Sequence, residues 1–137
     1  ADLAAVRAHV AAACDAAGAD AELRDALVLA TDELCANVVL HAYPAGPGPL
    51  TVDAEVDHGA DRLARCYRIT VIDAGAPFDP TAATPPDVTL AAEERAVGGL
   101  GLLLVRRSVD ALRYARIGGH NVVTLEKHPS HSRPAAP

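Results

Sequence analysis

Thr31-Asp32-Glu33-Leu34-Cys35-Ala36-Asn37-Val38-Val39-Leu40-His41-Ala42-Tyr43 decides the reading of this chain. The run is an apolar helix that carries Glu33, Asn37 and His41 at successive i, i+4 positions. At about 3.6 residues per turn the three polar groups share one stripe. Leu27, Val28, Leu29, Leu34, Val38, Val39 and Leu40 surround that stripe and favour burial. Polar groups held among apolar neighbours cost free energy unless something partners them. A carboxylate one turn from a carboxamide suits a divalent cation, or a polyphosphate together with its attacking group. A solvated polar face is the competing reading. Asp32, about 100° around the helix from the stripe, reads as a surface or partner contact.

Working outward, Asp20 is an N-cap for a helix over 21–42, and Pro44, Gly46, Pro47, Gly48 and Pro49 end it in a loop. Before it, residues 2–17 read as an Ala-rich helix with Leu3, Val6, Val10 and Cys14 at helical spacing and Gly18 as stop. After it, Leu50, Val52, Ala54 and Val56 alternate as in a half-buried strand. Residues 57–61 form a hairpin turn, and a second strand covers about 63–72. Residues 73–99 hold Gly75, Pro77, Pro80, Pro85, Pro86, Gly98 and Gly99. A long irregular segment in so short a chain reads as a lid or binding loop, or else as disorder. A helix over 100–109 and strands at about 111–117 and 121–127, joined by Gly118-Gly119, complete a single domain over 1–128. The segment 129–137 reads as a disordered tail. The order ααββ, lid, αββ predicts helices layered on one face of a mixed or antiparallel sheet.

Bulk composition narrows the function. The chain has 137 residues, half of them apolar, with Met and Trp absent, so the core is aliphatic. The net charge of −6 argues against general nucleic-acid affinity. Cys14, Cys35 and Cys66 are an odd count without CxxC spacing, which suits reduced thiols in a cytoplasmic protein rather than disulfides or zinc. His9, His58, His120, His128 and His131 likewise lack metal-ligand spacing. No apolar run approaches the about 18 residues of a membrane span, and no signal peptide is recognised.

Three motifs carry chemistry. In Glu33-x3-Asn37 the carboxamide is a neutral oxygen ligand for Mg²⁺, and the carboxylate can orient or deprotonate an attacking hydroxyl. In Val71-Ile72-Asp73-Ala74-Gly75-Ala76-Pro77-Phe78-Asp79-Pro80 a buried strand ends in an Asp able to accept from the exocyclic amine of adenine. Gly75 admits close approach of a flat base, although an ordinary strand-ending turn has the same composition. In Val97-Gly98-Gly99-Leu100-Gly101 a Gly-rich loop opens an apolar helix, whose free N–H groups and dipole favour phosphate. It is not a P-loop, since no Gly-Lys-Ser/Thr follows. Arg106 and Arg107 read as a solvated face.

Together and in this order, the motifs resemble the GHKL ATPase superfamily with its Bergerat nucleotide fold. The resemblance is closest to the anti-sigma-factor serine/threonine kinases of bacterial partner-switching systems. Glu33-x3-Asn37-x3-His41 is similar to that family's N box. Asp73-Ala74-Gly75 with Pro77 to Pro80 is similar to its first glycine box in short form. Gly98-Gly99-Leu100-Gly101 is similar to its second, and residues 118–127 to its closing hairpin.

The resemblance covers about residues 3 to 127. It implies an α+β two-layer sandwich, a mixed sheet with helices on one face. It implies ATP and Mg²⁺ as cofactors, with Glu33 catalytic, Asn37 on the metal, and Asp73 and Gly75 at the adenine. Gly98, Gly99 and Gly101 would lie at the phosphates under a lid of about 80–98, with His41 near the nucleotide. It further implies a homodimer that phosphorylates an anti-sigma antagonist and alternatively sequesters a sigma factor, without nucleic acid or membrane.

Two departures stand out. Asn121 and Val122 occupy the region where the family often places an adenine-binding Thr. The strand that usually precedes the first helix is not seen, and is expected to be cut away or to lie in a preceding domain. A non-catalytic nucleotide-binding or sequestering module of a larger regulator is the alternative reading. A histidine-kinase ATPase domain is a third, for which the sequence offers no clear phospho-acceptor helix pair.

Overall fold

The computed structural model describes residues 2–82 and 99–130. Helix α1 (Leu3–Ala16) starts where the Asp2 side chain accepts from the Ala5 N–H, and α2 (Ala21–Asn37) where Asp20 accepts from the Leu23 N–H. Both caps satisfy donors that a first helical turn leaves free. The continuation to residue 42 is not α-helical: Val38–Ala42 forms a π-helical turn.

Strands β1 (Leu50–His58) and β2 (Ala64–Asp73) form a hairpin whose tip holds Arg62 in the left-handed region at φ 66°. Helix α3 (Gly99–Ser108) then leads into β3 (Ala111–Ile117) and β4 (His120–Lys127), which turn at Gly118-Gly119. The sheet order is β1-β2-β4-β3, and every described pair is antiparallel. Of the two sheet types open to the sequence, mixed or antiparallel, the described strands form the second.

The period-2 pattern separates the sheet faces. Tyr67, Ile69, Val71, Val123 and Leu125 point to the helices and are buried with Val10, Cys14, Leu27, Leu34, Leu102 and Val105. The Tyr67 hydroxyl donates to the Ala17 carbonyl, tying β2 to the end of α1. Arg68, Thr70, Thr124 and Glu126 fall on the other face, which no described helix covers. Not every apolar residue around the stripe is buried: Leu29, Val39 and Leu40 are exposed, because α2 and its π turn bury only the side facing the sheet and α3. Among the described residues no helix is long and apolar enough to cross a membrane.

Candidate functional site

One cavity, of about 280 Å³, lies where the end of α2 meets the sheet. Asn37, Val38 and His41 form one wall, Val71, Asp73, Asn121 and Val123 the floor, and Pro77, Phe78 and Pro80 the rim. Leu102 of α3 closes the side. An apolar pocket with a few converging polar groups has the make-up of a small-molecule site.

Asp73 is the charged group of the floor and is 5% exposed. Its Oδ1 accepts from the Gly75 N–H at 2.9 Å and from Asn121 Nδ2 at 3.0 Å. Among the described residues Oδ2 has no hydrogen-bond partner. One oxygen is therefore fixed by the protein, and the other is left to accept from a donor in the cavity.

Asn121 pairs with Asp73 across the β2–β4 ladder and is 2% exposed. Its Nδ2 also donates to the Ala76 carbonyl at 2.9 Å. Its Oδ1 accepts from the Phe78 N–H at 3.2 Å and from the Tyr114 hydroxyl at 2.6 Å. Both donors and both lone pairs are thus used, and a flipped amide would oppose donor to donor. The sequence marked this position only as a departure from the family pattern. It is a positioning residue, which orients Asp73 and fastens the loop after β2. Its signal was a polar residue at the start of a strand whose alternate positions are apolar.

That loop is held from three further sides. The Tyr43 hydroxyl accepts from the Ala74 N–H at 2.7 Å and donates to the Pro49 carbonyl. Arg116 donates to the Gly75 carbonyl at 2.8 Å. Arg106, read from sequence as solvated, donates to the Pro80 carbonyl at 2.7 Å. Gly75 is buried, and a Cβ there would lie 2.6 Å from both the Cβ and the carbonyl oxygen of Ala42. Its bare backbone lets the loop close onto the π turn.

Asn37 and His41 both line the cavity although the helix changes type between them, so the π turn keeps them on one wall. Such turns occur often at functional sites. Asn37 is half-buried and His41 exposed. Glu33 is half-buried one turn before Asn37, against the first turn of α3, where a Cβ on Gly101 would collide with its Oε2. Among the described residues neither Glu33 nor Asn37 has a side-chain hydrogen-bond or ionic partner. A carboxylate one helical turn from an amide oxygen is a donor set that fits a hard cation such as Mg²⁺.

Gly99 opens α3, whose first N–H groups lack intrahelical partners by construction. Gly98 and most of the expected lid at 80–98 lie outside the described residues, as does the tail beyond 130. Asp32 pairs with Arg7 at 2.7 Å.

A two-layer α+β fold with this pocket under the end of its second helix defines a class. The chain belongs to the family of histidine kinase-like ATPase domains, whose model matches residues 1–127. Within that class it is similar to the serine/threonine-protein kinase BtrW of Bordetella bronchiseptica. The two are 34% identical over 108 residues, covering 79% of this chain and 72% of that protein.

Proposed function

We propose that this chain is an ATP- and Mg²⁺-dependent serine/threonine protein kinase and anti-sigma factor. It transfers the γ-phosphate to a Ser or Thr of a small anti-sigma antagonist, alternatively sequesters a sigma factor, and acts in the cytoplasm as a homodimer. Similarity to a serine/threonine kinase supports the reaction class. The observation that carries the reading is the pair Glu33 and Asn37, half-buried, one turn apart beside the Asp73 pocket and without a side-chain partner among the described residues.

In this reading Asp73 Oδ2 accepts from the exocyclic amine of adenine, with the base between Val38, Val71 and Val123. Asn37 offers its amide oxygen to the cation, and His41 stands near the nucleotide. Gly99 and Gly101, at the start of α3, border the phosphates, and Gly98 of the same glycine motif is assigned to them as well. Glu33 orients the attacking hydroxyl and takes its proton. Mg²⁺, when bound, neutralises phosphate charge in a reaction that is mostly positioning and electrostatics.

Calorimetric titration of ATP with and without Mg²⁺ tests the site. Saturable, Mg²⁺-dependent binding that Asn37→Ala weakens supports it. Glu33→Ala is then expected to bind ATP as the parent does and to lose about 10²–10⁴-fold in transfer rate. Unchanged transfer in that variant removes Glu33 from the chemistry. No binding of ATP would leave the sequestering module as the better reading.

A further inference from the structure

We propose that Cys66, Glu126 and His128 form a binding site for one divalent cation of the zinc type. The site lies at the end of the β2–β4 pair remote from the nucleotide pocket. Cys66 is near the start of β2, and Glu126 and His128 are at the end of β4 and just beyond it. The register places Tyr67 opposite Lys127, so Cys66 and His128 are cross-strand neighbours, with Glu126 two residues before His128 on the same face. The Cys66 sulfur, one carboxylate oxygen of Glu126 and one ring nitrogen of His128 lie within 4.8 Å of one another. Sixty residues separate the thiol from the carboxylate in the chain, which is why ligand spacing in the sequence carried no trace of the cluster.

Thiolate, imidazole and carboxylate are the three zinc ligand types, at about 2.3, 2.0 and 2.0–2.2 Å from the metal. A tetrahedron with those bond lengths has a sulfur–oxygen edge of about 3.5 Å. Cys66 Sγ and Glu126 Oε2 are 3.6 Å apart.

The supporting contacts are also those of a metal site. Glu126 turns its other oxygen, Oε1, to Arg113 and, at 4.0 Å, to Arg68. Oε2 is thus the oxygen that faces the thiol. His128 Nδ1 is 3.0 Å from the Arg65 carbonyl, and a carbonyl only accepts, so Nδ1 carries the proton and Nε2 the lone pair. A histidine that donates its second N–H to a backbone carbonyl is the usual orientation for a metal ligand. The backbone N–H of His128 donates to Asp110 at 2.7 Å, which fixes the residue itself.

Cys66 and Glu126 together carry two negative charges when the thiol ionises, matching a divalent cation. The thiol proton leaves to solvent as the sulfur–metal bond forms. Arg68 and Arg113 weaken the attraction, while Asp57, opposite Cys66 on β1, and Asp110 strengthen it. Three protein ligands leave one position for water. Cys66 and Asp73 stand at opposite ends of β2, about 23 Å apart at about 3.3 Å per residue. A cation there takes no part in phosphoryl transfer. It clamps the chain just after β4 to the start of β2.

Titration of the metal-stripped protein with Co²⁺ tests this directly. A thiolate-to-cobalt charge-transfer band that saturates at one equivalent, is displaced by Zn²⁺ and vanishes in Cys66→Ser is the expected result. His128→Ala is expected to weaken Co²⁺ by at least about tenfold, with ATP titration as the control for folding in both variants. No band in the parent protein, or a band that survives in a folded Cys66→Ser variant, overturns the proposal.

Discussion

At the scale of single residues, the candidate site turns on which polar atoms the protein uses itself and which it leaves. Asp73 uses one oxygen inward, and the other has no partner among the described residues. Replacing it by Asn keeps an acceptor for Gly75 and Asn121 but turns an NH₂ toward the cavity, donor against donor. A charge-assisted hydrogen bond contributes about 1.5–3 kcal/mol, so ATP affinity should fall about 10–100-fold in Asp73→Asn with little change in urea stability. Asn121 is the opposite case, with every hydrogen-bonding position spent on protein. Asn121→Ala strips partners from the Ala76 carbonyl, the Phe78 N–H and the Tyr114 hydroxyl. It should cost about 1–3 kcal/mol by urea denaturation and weaken ATP as well, because Asp73 loses its second anchor. The residue types were legible in the sequence here: Asn37 and His41 stood out as polar positions one turn apart on an apolar helix and Asp73 as an acid ending a buried strand, and the family resemblance was what joined them in one nucleotide site. That Asn121 belongs to Asp73 could not, because β4 pairs with a strand far back in the chain.

At the scale of elements, period and punctuation carried nearly all the information. The cap at Asp20, the Pro-Gly loop after Tyr43 and the alternation of β1 correspond to elements of the fold, whereas the cap at Asp2 was not read from the sequence. The π turn at Val38–Ala42 was not legible, since an apolar run has the same composition in either helix type. Nor was the packing of α3 on Glu33, which depends on two helices meeting. That packing makes a prediction. Gly101 sits inside α3, where Ala is better than Gly by about 1 kcal/mol, yet a Cβ there meets the Glu33 carboxylate. Gly101→Ala should therefore leave thermal stability intact and reduce phosphate transfer by moving Glu33. In a Glu33→Ala background the same change should cost no further transfer, and a double-mutant cycle on the transfer rate measures that coupling.

At the scale of the whole molecule, layering on one sheet face puts two cysteines in the core. Burial pushes the Cys14 thiol up to about 11 and the Cys35 thiol to about 12, from an ordinary 9.0. A raised value means the folded state keeps a proton that the unfolded chain releases. Their contribution is fully present below pH 9 and is lost as pH rises toward 11–12. Urea midpoints should accordingly fall above pH 9, and fall less steeply in Cys35→Ala compared with its own neutral-pH value. The two-layer class was legible from element order alone. The strand order β1-β2-β4-β3 was not, and with it went the neighbours across β2 and β4, Asn121 beside Asp73 and the Cys66 cluster included.

The tyrosines have a use of their own. The chain has three and no tryptophan, so excitation energy has no indole to drain into. Tyr43 and Tyr114 hold the loop and the amide that frame the pocket, while Tyr67 is anchored to the far end of α1. The protein thus contains a built-in optical reporter: its native ultraviolet emission should change as adenine nucleotide enters. Tyr67 provides a steady background, and no dye need be attached.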